Sequence, residues 1–243
     1  MSKIIENIKE DLIRYSDEKT KKSGEKFFKE GVVMYGVKGA NTHLIEKEHY
    51  KKLPDKSKAV VFRYCDELWR SGMMEESIIA CLWSYKVRKE YKPEDFLIFR
   101  NWIEKYVSNW ATCDTLCNHT VGAFIEKYPA FLQELRVWAV SENRWMRRAS
   151  AVSLIVPGKK GLFLNDIFQL AEILLLDKDD MVQKGYGWLL KVTSQAHLEP
   201  VFDFVMSKKD VMPRTALRYA IEKMPLEMRS KAMEKTKPIN KIL

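Results

Sequence analysis

A short pattern that returns about every 35 residues constrains this chain more than any other feature. The decamers WMRRASAVSL from Trp145, MVQKGYGWLL from Met181 and VMPRTALRYA from Val211 share one register. Each has two large residues, a polar residue or proline, a base (Arg148, Lys184, Arg214), a small residue and then an apolar helical run. Each also follows an acidic or polar turn: SENR, LDKDD and SKKD. MMEESIIACL from Met73 and WATCDTLCNH from Trp110 carry looser versions of the same register. A period of this length belongs to a helix-pair repeat. One pair cannot bury its apolar face alone, so about five stacked pairs are expected to share a continuous core in a curved ribbon.

The rest of the sequence agrees with an all-α chain. Ile4, Ile5, Ile8, Leu12 and Ile13 recur at helical spacing, as do Phe96, Phe99, Trp102, Ile103 and Tyr106. No stretch alternates β-branched residues as a strand would. Pro54, Pro93, Pro129, Pro157, Pro200 and Pro225 fall where one amphipathic run stops or another starts, and so mark helix ends. With 46% hydrophobic residues among 243, the chain can bury a substantial core, which excludes a disordered protein.

A net charge of +9 favours a polyanionic partner, nucleic acid first. Bases repeating at one register are expected to project from successive second helices to one side, making a positive stripe on a concave face. Glu6, Glu10 and Asp11 interrupt the apolar residues of the N-terminus, unlike a signal peptide, and the apolar runs are far shorter than the ~20 residues of a membrane span. Four cysteines are too few for a disulfide scaffold of this size. A soluble cytoplasmic protein, associated with the nucleoid through DNA, is expected.

Signatures of the common enzyme classes are absent: there is no phosphate-binding glycine loop, nucleophile elbow or HExxH. Cys113, Cys117 and His119 lack the usual zinc spacing, so no metal is expected there and the two cysteines are read as small core hydrophobes. What remains is sparse. Trp110 and Asp114, four residues apart, share a helix face. A carboxylate in a basic groove repels the phosphates that its neighbours attract, so Asp114 is either a partner of a nearby arginine or a chemical group. Gly185 and Gly187 precede Trp188 inside a helix, where each costs about 1 kcal/mol relative to Ala. They serve either tight helix packing or the approach of a nucleic-acid backbone beside the indole. Trp110 and Trp145 are open to a core or a ligand role, Trp145 being the better core candidate.

In order and spacing, Trp110-x-x-x-Asp114, the WMRRA segment with Arg147 and Arg148, and QKGYGWLL with Lys184 and Trp188 resemble the HEAT-like alkylpurine DNA glycosylases, the AlkD family. The similarity runs from roughly Phe27 to near Pro225. It implies one HEAT-like domain over residues 1–243, an α-solenoid with a short flexible tail from about residue 236, that wraps double-stranded DNA as a monomer and needs no cofactor. It also implies that Asp114 acts at the sugar of an N3- or N7-alkylated purine nucleotide, such as 3-methyladenine or 7-methylguanine. Trp110 and Trp188 would pack on the deoxyribose and backbone, while Arg148, with Arg147, Lys184, Arg214 and Phe27, would contact DNA. Phe27 stands where some members have Tyr, and Ala40 and His43 stand where Pro and Arg are usual.

The implied chemistry is self-consistent. Alkylation makes the purine a cationic leaving group, and the sugar becomes oxocarbenium-like. A carboxylate ~4 Å away, at an effective dielectric near 20, is worth about 4 kcal/mol against that charge. Such an enzyme would act without flipping the base, and the absence of lysine between Trp110 and Asp114 suggests no lyase step. The competing expectation is a non-catalytic DNA-binding repeat protein for branched or distorted DNA; a peptide-binding scaffold is a further one.

Overall fold

In the computed structural model, which describes residues 2–234, the described residues are mostly helical, with an extended strap at 28–38. The flexible tail expected from about residue 236 lies outside the described residues. Contacts divide the chain into two compact units, Met1–Ala130 and Phe131–Leu243.

The first unit contains α1 (Lys3–Arg14), α2 (Glu18–Phe27), α3 (Gly39–Lys51), α4 (Lys58–Arg70), α5 (Met74–Lys86), α6 (Asp95–Tyr106), α7 (Trp110–Thr115) and α8 (Gly122–Lys127). A π-helical stretch, Leu116–Val121, joins the last two. The second unit contains α9 (Leu132–Ala139), α10 (Arg144–Val152), α11 (Ile155–Lys159), α12 (Leu164–Ile173), α13 (Asp180–Thr193), α14 (Leu198–Lys208), α15 (Arg214–Ile221) and α16 (Leu226–Met233). Among the described residues the only β pairing is an isolated bridge between Ser16 and Val37.

The repeat decamers mark the second helices: α5, α7, α10, α13 and α15 begin at or within a few residues of them. Within the first unit α5 packs against α3 and α7; within the second, α13 packs against both α10 and α15. The first helices, α4 against α5 and α9 against α10, complete the pairs. Helix pairs therefore stack as the period requires.

Two of the polar turns before the decamers, SENR and LDKDD, supply helix caps, and Asn109 supplies another before α7; SKKD does not, because α15 starts after Pro213 with no side-chain cap. Asn109 accepts from the Thr112 amide (3.0 Å), Asn143 from the Trp145 amide (2.9 Å) and Asp179 from the Met181 amide (2.8 Å). Each satisfies a donor that the first turn leaves without an intrahelical partner. Pro157 and Pro200 lie inside the first turns of α11 and α14, where proline lacks no needed N–H.

Apolar periodicity becomes the core. Ile5, Ile8 and Leu12 of α1 are buried, while Ile13, on the other side of the helix, is 60% exposed. Phe96, Phe99, Trp102 and Ile103 are buried, with Phe62 edge-on to Phe99 and Trp102. Cys113 and Cys117 are fully buried and outside any disulfide, as expected of small hydrophobes. Val182, Leu189 and Leu190 of α13 and Ala216, Leu217 and Ala220 of α15 form the corresponding core of the second unit.

Candidate functional site

Trp69, Trp83, Trp102, Trp138 and Trp145 are buried, whereas Trp110 and Trp188 are only partly buried. These are the two indoles that the motif resemblance singled out. The other five belong to the core, including Trp145.

In the first unit Trp110 opens α7 directly after the Asn109 cap. Its ring stacks on Phe28 (centroids 5.4 Å apart, 27° between planes) and meets Phe27 edge-on at 5.8 Å. Phe28, Val32 and Met34 form a small buried cluster against which Met74, Trp110 and Ala111 pack. Phe27 itself remains 67% exposed. Asp114, one turn after Trp110, is half-buried and lies just before the π-helical stretch. Such stretches interrupt α-helices frequently at functional sites. The first unit thus joins Phe27, Trp110 and, on the same helix, Asp114. Sequence reasoning missed Phe28, whose only signal was the doubled aromatic Phe27-Phe28.

In the second unit the three bases of the repeat register have three different surroundings, which corrects the expectation of one outward-facing stripe. Arg148 is 5% exposed, its guanidinium donating to the Met181 carbonyl in the first turn of α13. Lys184 is partly buried and pairs with Asp180 one turn earlier (2.6 Å). Arg214 is exposed. The physical reason is the partner each base meets: Arg148 lies over Gly185 and reaches the Met181 carbonyl, Lys184 is drawn to Asp180, and Arg214 meets solvent. Arg147 is engaged too, with Nε 2.6 Å from Asp177 and Nη1 donating to the Ser141 and Glu142 carbonyls at 2.9 Å.

Gly187 answers to packing. A Cβ there would meet the Ala216 carbonyl oxygen at 2.7 Å and Tyr219 Cβ at 2.8 Å, so α13 and α15 approach each other over bare backbone. Trp188 follows it, partly exposed on α13.

Two adjacent acids on α5 are buried near the Phe28 cluster. Glu75 accepts from the amides of Tyr35 (3.0 Å), Gly36 (2.9 Å) and Val37 (2.9 Å). Glu76 accepts from the Tyr35 hydroxyl at 2.6 Å. Burial raises the Glu76 carboxyl above the ordinary carboxylate range, while the Tyr35 hydrogen bond and the charge of Lys9 oppose the shift. Burial also raises the Tyr35 phenol. Among the described residues no group of His, Cys, Asp and Glu could hold a metal ion.

A helix-pair repeat with two half-buried indoles and a half-buried acid defines a class of all-α repeat proteins. The model of the DNA alkylation repair enzyme family matches residues 8–224, and the chain belongs to that family. A role in the repair of alkylated DNA, and DNA as partner, follow from membership. A predicted DNA alkylation repair enzyme from Enterococcus faecalis has a similar fold: TM-score 0.74 and 15% identity over 87% of this chain and 97% of that one. No curated protein matches the chain. No described helix is long and apolar enough to cross a membrane.

Proposed function

We propose that this chain is a monofunctional DNA glycosylase that hydrolyses the N-glycosidic bond of N3- and N7-alkylated purines, 3-methyladenine and 7-methylguanine among them, in duplex DNA. The observation that carries the reading is Asp114, half-buried one turn beyond a partly exposed, aromatic-supported Trp110, in a chain of the DNA alkylation repair family.

In this reading the alkylated purine departs with the electron pair of the glycosidic bond, neutralising its own positive charge. The sugar carries the charge that the purine loses. Asp114 stabilises that sugar and orients the water that attacks it. Trp110 and Trp188 supply flat apolar surfaces for deoxyribose and backbone, and Phe27 extends the Trp110 platform. Arg214 and Lys184 attract phosphate, and Arg147 and Arg148 brace the second unit beside them. The products are a free base and an abasic site.

The test is incubation of the protein with methylated duplex DNA, followed by separation of released bases. Free 3-methyladenine or 7-methylguanine is expected. Retained DNA binding with no released base would replace the enzyme by a non-catalytic DNA-binding protein.

A further inference from the structure

We propose that Glu75 is a positioning residue: it fixes the strap of residues 28–38 and so seats Phe28 and Phe27 on the Trp110 indole. The inference rests on the glycosylase reading only for its consequence in base release.

The case begins with α2, which ends at Phe27 and contains no buried residue of its own. Such a helix cannot be placed by burying its own apolar face. It is held instead by the strap that follows. Phe28, Val32 and Met34 anchor that strap by apolar packing, but apolar packing is non-directional and leaves the register open.

Directed bonds set the register. The Val33 carbonyl accepts from the Met74 amide at 2.9 Å, and the next residue, Glu75, receives the amides of Tyr35, Gly36 and Val37 on its two oxygens. Gly36 has φ +88°, a left-handed turn that lets successive N–H groups converge on one anion. From the other side the Gly36 carbonyl accepts the Asp17 amide at 3.1 Å, and a Cβ at Gly36 would meet Lys21 Cβ at 2.6 Å and the Asp17 carbonyl oxygen at 2.8 Å. Gly36 is therefore clamped between the start of α2 and the Glu75 carboxylate. Through it Glu75 places α2 with Phe27, and through the strap it places Phe28.

Glutamine at position 75 offers one acceptor oxygen in place of two, so at least one of the three amides loses its acceptor. The full chain is labelled with fluorotryptophan, the Trp110 resonance is assigned with Trp110→Phe, and Glu75→Gln is compared with the parent. The Trp110 resonance is expected to move or broaden while those of Trp138 and Trp145 stay. Displacement of a supporting group by about 1 Å can cost up to ~100-fold in rate, so single-turnover base release is expected to fall at least ~10-fold.

Combined with Phe28→Leu, the loss should be less than the product of the two single effects, because both act on one contact. An unchanged Trp110 resonance in folded Glu75→Gln, or fully multiplicative losses, overturns the proposal. Should Glu75→Gln fail to fold, the parent chain decides by amide hydrogen exchange together with Phe28→Leu. Protected Tyr35, Gly36 and Val37 amides with impaired release in Phe28→Leu support the positioning role; exposed amides or unimpaired release overturn it. If the parent releases no base, the glycosylase reading fails alone, and the Trp110 resonance and amide protection still decide the role of Glu75.

Discussion

At the scale of single residues, the acids of the first unit differ in what their charge does. Asp114→Asn removes the charge with little change in volume. It is expected to keep DNA affinity and to slow base release by about a hundredfold or more, the usual loss when a group aimed at developing charge is removed; single-turnover kinetics beside a binding isotherm checks both. Glu76 behaves in the opposite sense. Its carboxyl is raised in the folded state by burial, so folding favours its protonated form. The penalty is absent well below the ordinary value of 4.5 and grows as pH rises through that value toward the raised one. Gln at 76 keeps an acceptor for the Tyr35 hydroxyl without the charge. Glu76→Gln is therefore expected to be more stable than the parent at pH 8 and to lose that advantage as the medium is acidified, in denaturant titrations at several pH values. The sequence showed Glu75 and Glu76 only as two acids opening an apolar run. Their partners lie 38 to 41 residues away, and no local pattern reports contacts at that separation.

At the scale of elements, the two glycines of α13 separate two causes of one composition. Gly187→Ala places a methyl against backbone, the Ala216 carbonyl at 2.7 Å, which cannot give way without shifting α15. A loss of about 1–3 kcal/mol is expected. Gly185→Ala meets Arg148 Cγ at 3.4 Å, ordinary contact with a flexible side chain. The gain in helix propensity, about 1 kcal/mol, is expected to leave that variant near neutral or slightly more stable. Thermal unfolding of both variants checks the contrast, and equal destabilisation would remove the distinction. Element positions were largely legible beforehand: the decamers located the second helices, and the SENR and LDKDD turns before two of them became the Asn143 and Asp179 caps. Capping and helical periodicity act over a few residues, so the sequence carries them directly. The surroundings of a base within a register were not legible. Arg148, Lys184 and Arg214 occupy equivalent positions, yet the Met181 carbonyl, the Asp180 carboxylate and open solvent give them three surroundings.

At the scale of the whole molecule, a net charge of +9 on a member of a DNA repair family has a measurable signature. Binding to duplex DNA is expected to weaken linearly in log K against log salt, with a slope near −0.9 for each phosphate neutralised. A slope near zero would argue for a partner other than a polyanion. The sequence by itself determined the helical class, the repeat, the positions of its second helices and the motif around Trp110 and Asp114. These follow from periodicity, capping and spacing along one chain. Only the tertiary structure decided that Phe28 lies on Trp110, that Arg148 is turned into α13, and that Glu75 holds the strap. Each depends on segments far apart in sequence meeting at van der Waals or hydrogen-bond distance, and folding alone sets that distance.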